Sequence, residues 1–271
     1  PPLLMGAFFT WHYKFMQKSS QILLRLVLPA LILIIWYVLN RNEVYPEIML
    51  PAPQDVFFAL WELSINGDIF YHIWNSFQRF LIGYVIGVGL AVPTGLAIGW
   101  FRALDKYTEV TITFLRQLPG IAWIPLALLW FGIGNTSSYF IVGMNAFFSP
   151  LINSIAGVKD VDKNLVDAAR NLGVKQNSWF MFKEVIFPSA VPHIMTGMRI
   201  ALTYAWGGIV AAEMLAASNG LGWMIEANRR FHFPERVVLA MVLIGLCGFL
   251  IDDLLRRIEK YLNRWRAGIS E

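Results

Sequence analysis

The chain is short of charge, of cysteine and of every motif that carries covalent chemistry. Asp, Glu, Lys and Arg make up 15% of its 271 residues while 57% are apolar, against about 25% charged and about 45–50% apolar in ordinary soluble domains. That apolar excess has no place in one soluble core, so lipid is the solvent for much of the surface. A single cysteine, Cys247, excludes an internal disulfide framework. No Gly-Lys dipeptide occurs, so the chain has no Gly-x4-Gly-Lys-Ser/Thr phosphate loop. His12, His72, His193 and His232 lack metal-ligand spacing, and Ser, His and Asp residues form no nucleophile motif. An intramembrane enzyme therefore has no catalytic constellation here. Lys14, Lys18 and Arg25 precede an apolar run without a small-residue cleavage site, so that run reads as a retained first span.

What is present is a series of apolar stretches. A helix needs about 20 mostly apolar residues to cross the hydrocarbon core. Ile22 to Leu39 is the first candidate and Phe80 to Phe101, free of Asp, Glu, Lys and Arg, the second. Gln117 to Val158 is equally uncharged and too long for one crossing, so it reads as two spans joined near Gly132, Gly134 and Asn135. Pro188 to Ala217, interrupted by Arg199 and Glu213, is the fifth, and Val237 to Ile251 the sixth. The expected fold is an all-α membrane protein of about six helices, since lipid-facing backbone must satisfy its own hydrogen bonds.

The segments on one side of such a topology hold most of the Lys and Arg: 14, 18, 25, 102, 106, 159, 163, 170, 175, 183 and five between 256 and 266. The other side holds Arg41, Arg229, Arg230 and Arg236. The positive-inside bias puts both termini in the cytoplasm. The expected divisions are a cytoplasmic segment 1–21, a transmembrane domain 22–258 that includes a cytoplasmic loop 159–187, and a tail 259–271. The basic stretch Arg256 to Arg266 is interleaved with Ile258, Tyr261, Leu262 and Trp265, a pattern suited to the inner leaflet rather than to nucleic acid. Residues Asn40 to Trp74 form a mixed external segment with a short amphipathic stretch.

The long charged loop carries the most information. Asp160, Asp162 and Asn164 are candidate caps for a short helix. Leu165, Ala168, Ala169 and Leu172 recur at helical spacing and give it a small-sided apolar face. Gly173 suits the left-handed position at its end. Asn177 or Ser178 can start a second helix, and Pro188 fits the first turn of span five.

The strings Val166-Asp167-Ala168-Ala169-Arg170-Asn171-Leu172-Gly173 and Val185-Ile186-Phe187-Pro188 resemble the loop of binding-protein-dependent ABC importer permeases, with Asp167 and Phe187 in place of the family's Glu and Leu. The likeness runs from about Leu50 to the C-terminus. Arg116-Gln117-Leu118-Pro119-Gly120 through Gly134, and Ala211-Ala212-Glu213-Met214-Leu215 with Gly220-Leu221-Gly222, are similar to the branch that moves taurine, aliphatic sulfonates, nitrate and bicarbonate. The resemblance implies that Leu165, Asp167, Ala168, Ala169, Leu172 and Gly173 couple the spans to an ATPase subunit. It implies partners as well: a second permease copy, identical or paralogous, two ABC ATPase subunits that bind ATP and Mg, and an extracytoplasmic substrate-binding protein. No cofactor belongs to this chain.

Charges inside the membrane cost about 2.5–3.5 kcal/mol even on lenient scales, so they are paired or face water. Arg116 either draws an anionic solute into the path or snorkels near the cytoplasmic surface. Glu213 forms either a gate or a structural ion pair. Gln117, Asn145, Asn153, Thr203 and Tyr204 are uncharged candidates for lining the path, or else make interhelical hydrogen bonds. Gly83, Gly87, Gly95 and Gly99 place small residues on one helix face for close packing within the subunit. The resulting expectation is a permease for a small anion or zwitterion in the cytoplasmic membrane. Import of an uncharged precursor such as a pyrimidine on the same scaffold is the alternative, with an ion-gradient carrier disfavoured by the lack of inverted repeats.

Overall fold

A computed structural model describes residues 27–175 and 178–262, and all regular structure in them is helical. The elements are α1 (Val27–Arg41), α2 (Pro53–Ile65), α3 (Asp68–Trp100), α4 (Arg102–Leu115), a 3-10 turn (Gly120–Trp123) leading into α5 (Ile124–Phe131), α6 (Asn135–Lys159), α7 (Lys163–Asn171), α8 (Trp179–Ala216), α9 (Leu221–Arg230) and α10 (Pro234–Leu262). α3, α6, α8 and α10 are each long and apolar enough to cross a membrane. At about 1.5 Å per residue the 33 residues of α3 reach about 50 Å, well beyond a hydrocarbon core of about 30 Å. α4 and α5 pass the same test only as a pair, across a 90° bend. α1 is shorter, and the start of its expected span at Ile22 lies outside the described residues.

Three expectations change. The second apolar span begins at Asp68, not Phe80, and the external segment 40–74 is largely the helix α2 plus the first turns of α3. The stretch from Gln117 to Phe131 is not one spanning helix. Pro119 sits in an extended conformation (φ −63°, ψ 141°) and Pro125 follows near the start of α5, so two missing amide donors break the ladder. The helix that supplies the missing length is α4, amphipathic and without a buried residue. Finally, the loop's second helix is continuous with span five. Pro188 cannot donate to the carbonyl four residues back, and a π turn (Phe182–Ile186) absorbs the defect, with the Phe187 amide bonded to the Phe182 carbonyl.

The core is the three-helix layer α3–α6–α8, built by the glycines on α3. A Cβ on Gly87 would stand 2.5 Å from the Gly143 carbonyl oxygen, one on Gly95 2.5 Å from that of Leu151, and one on Gly83 2.9 Å from that of Tyr139. Backbones this close gain dispersion contacts that lipid cannot offer, which is what holds helices together where no hydrophobic drive exists between them. On the other face of α6, Gly197 of α8 stands as close to Pro150 and Asn153. α10 packs outside this layer: Trp206 Nε1 donates to the Ile244 carbonyl at 3.1 Å, while Met241, Val242, Phe249, Leu250 and Leu254 remain exposed, as a lipid-facing helix requires.

Candidate functional site

The break between α4 and α5 creates the first site. Arg116 caps the end of α4, and the chain turns at Leu118, Pro119 and Gly120 over α6. These residues, with Trp123, Met144, Asn145, Phe148, Ser149, Ile152 and Tyr204, line a cleft of about 310 Å³. Asn145 sits at its floor. Its amide Nδ2 donates to the Ile141 carbonyl at 2.8 Å, and the side chain is pinched between Gly120 and Gly208, where any Cβ would overlap it. Gly120 is thus required for the chain to cross α6 here. The structure therefore brings Arg116, Asn145 and Tyr204 together and leaves Gln117 exposed beside them. Arg116 and Tyr204 are exposed as well, so the cleft is a half-shell, open on one side.

Thr203 belongs elsewhere. It lines a separate cleft of about 360 Å³ with Thr196, Arg199, Ile200, Asp252 and Arg256, where Arg199 Nε lies 3.5 Å from Asp252 Oδ1. Asn153 bonds to the Ser149 carbonyl of its own helix at 2.9 Å and packs against Gly197.

Glu213 is placed in neither cleft. It is 1% exposed at the opposite end of the bundle from α7, paired with Arg79 of α3 at 2.9 Å. Its Oε2 accepts from Ser76 Oγ at 2.7 Å and from the Gly222 amide at 3.0 Å. Arg79 also donates to Asn135 Oδ1 at 2.7 Å, to the Asn219 carbonyl at 2.8 Å and to the Asn219 side-chain oxygen. One guanidinium fork thus joins α3, the start of α6, α8 and the turn leading to α9. In this structure Glu213 is the carboxylate of a buried ion pair. Arg79, Ser76 and Asn219 escaped the sequence reading, although a signal existed. Arg79 borders the second apolar stretch and Glu213 lies in the fifth, so each needs a partner and they carry opposite charge.

The loop forms the third site. Asp162 caps α7 by accepting from the Asn164 amide at 2.9 Å, and Gly173 takes a left-handed φ of 88° at its end. Ser178 caps the next helix through the Met181 amide at 3.2 Å, while Asn177 lies outside the described residues. The apolar face splits in two. Ala169, with Val166 and Val174 beside it, seats on Met181, Ile186 and Ala190 of α8. Leu165, Ala168 and Leu172 point away from the body, with Leu172 86% exposed. Trp179 and Phe180 are exposed nearby in sequence, and Asp167 pairs with Arg170 at 3.2 Å. Ala169 thus attaches the helix, and the other three residues form an uncovered apolar stripe. Among the described residues no cluster of His, Cys, Asp or Glu could hold a metal.

Comparison with known proteins fits this geometry. Residues 83–266 match the family described as binding-protein-dependent transport system inner membrane component. The chain is similar to the putative aliphatic sulfonates transport permease protein SsuC of Bacillus subtilis, 34% identical over 241 residues that cover 89% of this chain and 87% of that protein. It is similar to the taurine transport system permease protein TauC of Escherichia coli, 30% identical with 93% of each chain covered. It is also similar to the bicarbonate transport system permease protein CmpB of Synechococcus elongatus, at 28% identity with 93% and 92% covered. In fold it matches a structure of the MetNI methionine ABC transporter, with a TM-score of 0.63 at 16% identity, over 73% of this chain and 98% of that one.

Proposed function

Since the chain belongs to the binding-protein-dependent inner membrane component family of ABC transporter permeases, a multi-pass subunit that is not catalytic on its own, we propose that it forms half of a translocation path for a small anionic or zwitterionic solute such as a sulfonate, taurine or bicarbonate. The observation that carries this reading is the open cleft at the α4–α5 break, where Arg116 stands beside Asn145, Ser149 and Tyr204. Polar groups on membrane-length helices are costly against lipid, so an open polar half-shell calls for a covering surface. Tyr204 at the edge of this cleft belongs to an exposed row on α8 with Thr196, Ile200, Thr203 and Gly207, of which Thr196, Ile200 and Thr203 line the second cleft. A second copy of this chain closes both, and the solute passes between the copies.

In this reading the Lys and Arg distribution keeps α7 in the cytoplasm. The Leu165, Ala168 and Leu172 stripe docks on an ABC ATPase subunit, which binds ATP and Mg. An extracytoplasmic binding protein delivers the solute at the far end. A guanidinium in a low-dielectric wall attracts an anion strongly, and its planar fork suits two sulfonate or carboxylate oxygens. Uptake by the complete complex in proteoliposomes, with its natural binding protein, therefore follows the order wild type, R116K, then R116Q and R116M, with assembly unchanged. Full uptake by R116M would remove Arg116 from the path.

A further inference from the structure

The end of the bundle opposite α7 holds a histidine, His72, that the proposed transport cycle does not use. His72 of α3 accepts a hydrogen bond at Nδ1 from the Gly220 amide at 3.0 Å. Its ring stacks on Trp223 of α9, with centroids 5.3 Å apart and planes 23° apart, and meets the Tyr71 ring edge at 5.5 Å. We propose that His72 is a positioning residue for the turn between α8 and α9, holding it against α3 only while Nδ1 is unprotonated, so that acid on that face of the membrane loosens the turn.

Gly220 has no slack of its own. Its φ is 108°, and a Cβ there would run into the Glu213 carboxylate, so the chain is threaded between Glu213 and His72. In the imidazolium form both ring nitrogens carry hydrogen. The Gly220 amide then faces a donor in place of its acceptor and is left unpaired. The charged groups that act on the ring are Asp68 and Arg79, both on its own helix, while α9 meets it with the uncharged Trp223. Burial of the ring disfavours the cation and holds its pKa below the usual histidine value, with Asp68 favouring the cation and Arg79 opposing it. Glu213 of α8 is engaged by Arg79, Ser76 and the Gly222 amide, so its charge is already taken up. Two neighbouring anchors do not involve His72: Arg79 donates to the Asn219 carbonyl, and Ser76 Oγ accepts from the Leu221 amide, both at 2.8 Å. Loss of the His72 bond therefore shifts the turn between two positions and leaves the node folded. A buried donor left unpaired corresponds to a population change of about tenfold.

The "external" side of this assignment rests on the orientation proposed above, whereas the latch itself does not. The test is made on the full-length chain in lipid nanodiscs, with no ATPase or binding protein present. A nitroxide at the exposed turn position 218 (S218C in a C247S background) reports turn mobility. Between about pH 8 and about pH 5, across the histidine range, the wild-type spectrum narrows. H72N offers a non-titrating oxygen acceptor and stays broad throughout, while H72F keeps the aromatic contact without an acceptor and is narrow throughout. A pH-independent wild-type spectrum, or an H72N spectrum that titrates like wild type, overturns the proposal. Failure of import with the spectra as expected overturns the transport reading instead.

Discussion

The Arg79–Glu213 pair offers the sharpest energetic test. Both side chains are enclosed, at 4% and 1% exposure, and the pair spans 134 residues of sequence. Removing one partner of a buried pair costs about 3–5 kcal/mol because the other charge is stranded. The two removals are not equivalent. E213M strands the guanidinium together with the Gly222 amide and the Ser76 hydroxyl, although Arg79 keeps oxygens of Asn135 and Asn219. R79M strands a carboxylate that keeps its two donors, Ser76 and Gly222, and also takes the donor away from the oxygens of Asn135 and Asn219. Both single variants are therefore expected within that range. The double variant strands no charge, and replacing a whole buried pair by apolar groups is often neutral or better. It should lose less than E213M alone, a coupling of several kcal/mol where independent sites would add. Reversible unfolding in mixed micelles of increasing SDS fraction measures all four corners of the cycle. Single variants within about 0.5 kcal/mol of wild type, or additive losses in the double, would refute the reasoning.

Three further outcomes follow from the packing and from α7. G87L, which drives a side chain into the Gly143 backbone, should forfeit folded yield in detergent, at a cost of about 1–3 kcal/mol or more from overpacking, while G89L, two residues along with nothing within 4 Å of its Cβ, should behave as wild type in size-exclusion chromatography. A168R on the exposed face of α7 should insert and purify normally yet lose stimulated ATP hydrolysis in the complex, and K163C in a C247S background should react only with reagents added from the cytoplasmic side. Normal stimulation by A168R, or labelling of K163C from outside, would move the ATPase contact away from α7.

Much of this molecule was legible in order of sequence because its causes are local. Apolar runs of the right length became helices. Asp162, Gly173 and Ser178 act on backbone groups within three residues, so each stands among the candidates the loop's spacing offers, with the structure choosing Asp162 over Asp160 and Asn164. The glycine spacing on α3 pointed to a close-packed face, since residues four apart share one side of a helix. What failed at this level failed for backbone reasons that depend on more than composition: Pro119 and Pro125 turned an apolar stretch through 90°, and the strain at Pro188 was absorbed by a π turn that kept one helix where two were expected.

Only the tertiary structure could say which residues meet. The spacing of Leu165, Ala168, Ala169 and Leu172 defines one face, but the body of α8 decides that Ala169 is covered while the other three stay free. Arg116, Asn145 and Tyr204 share a cleft because a bent α4–α5 segment crosses α6, and Thr203, one residue from Tyr204, looks into another. Glu213 finds Arg79 and Ser76 across more than 130 residues of chain. The sequence determines these charges and helices one by one, since propensity and capping act within a turn or two. Their pairing follows from how α3, α6 and α8 pack, and that depends on glycine faces whose partners the linear order does not specify.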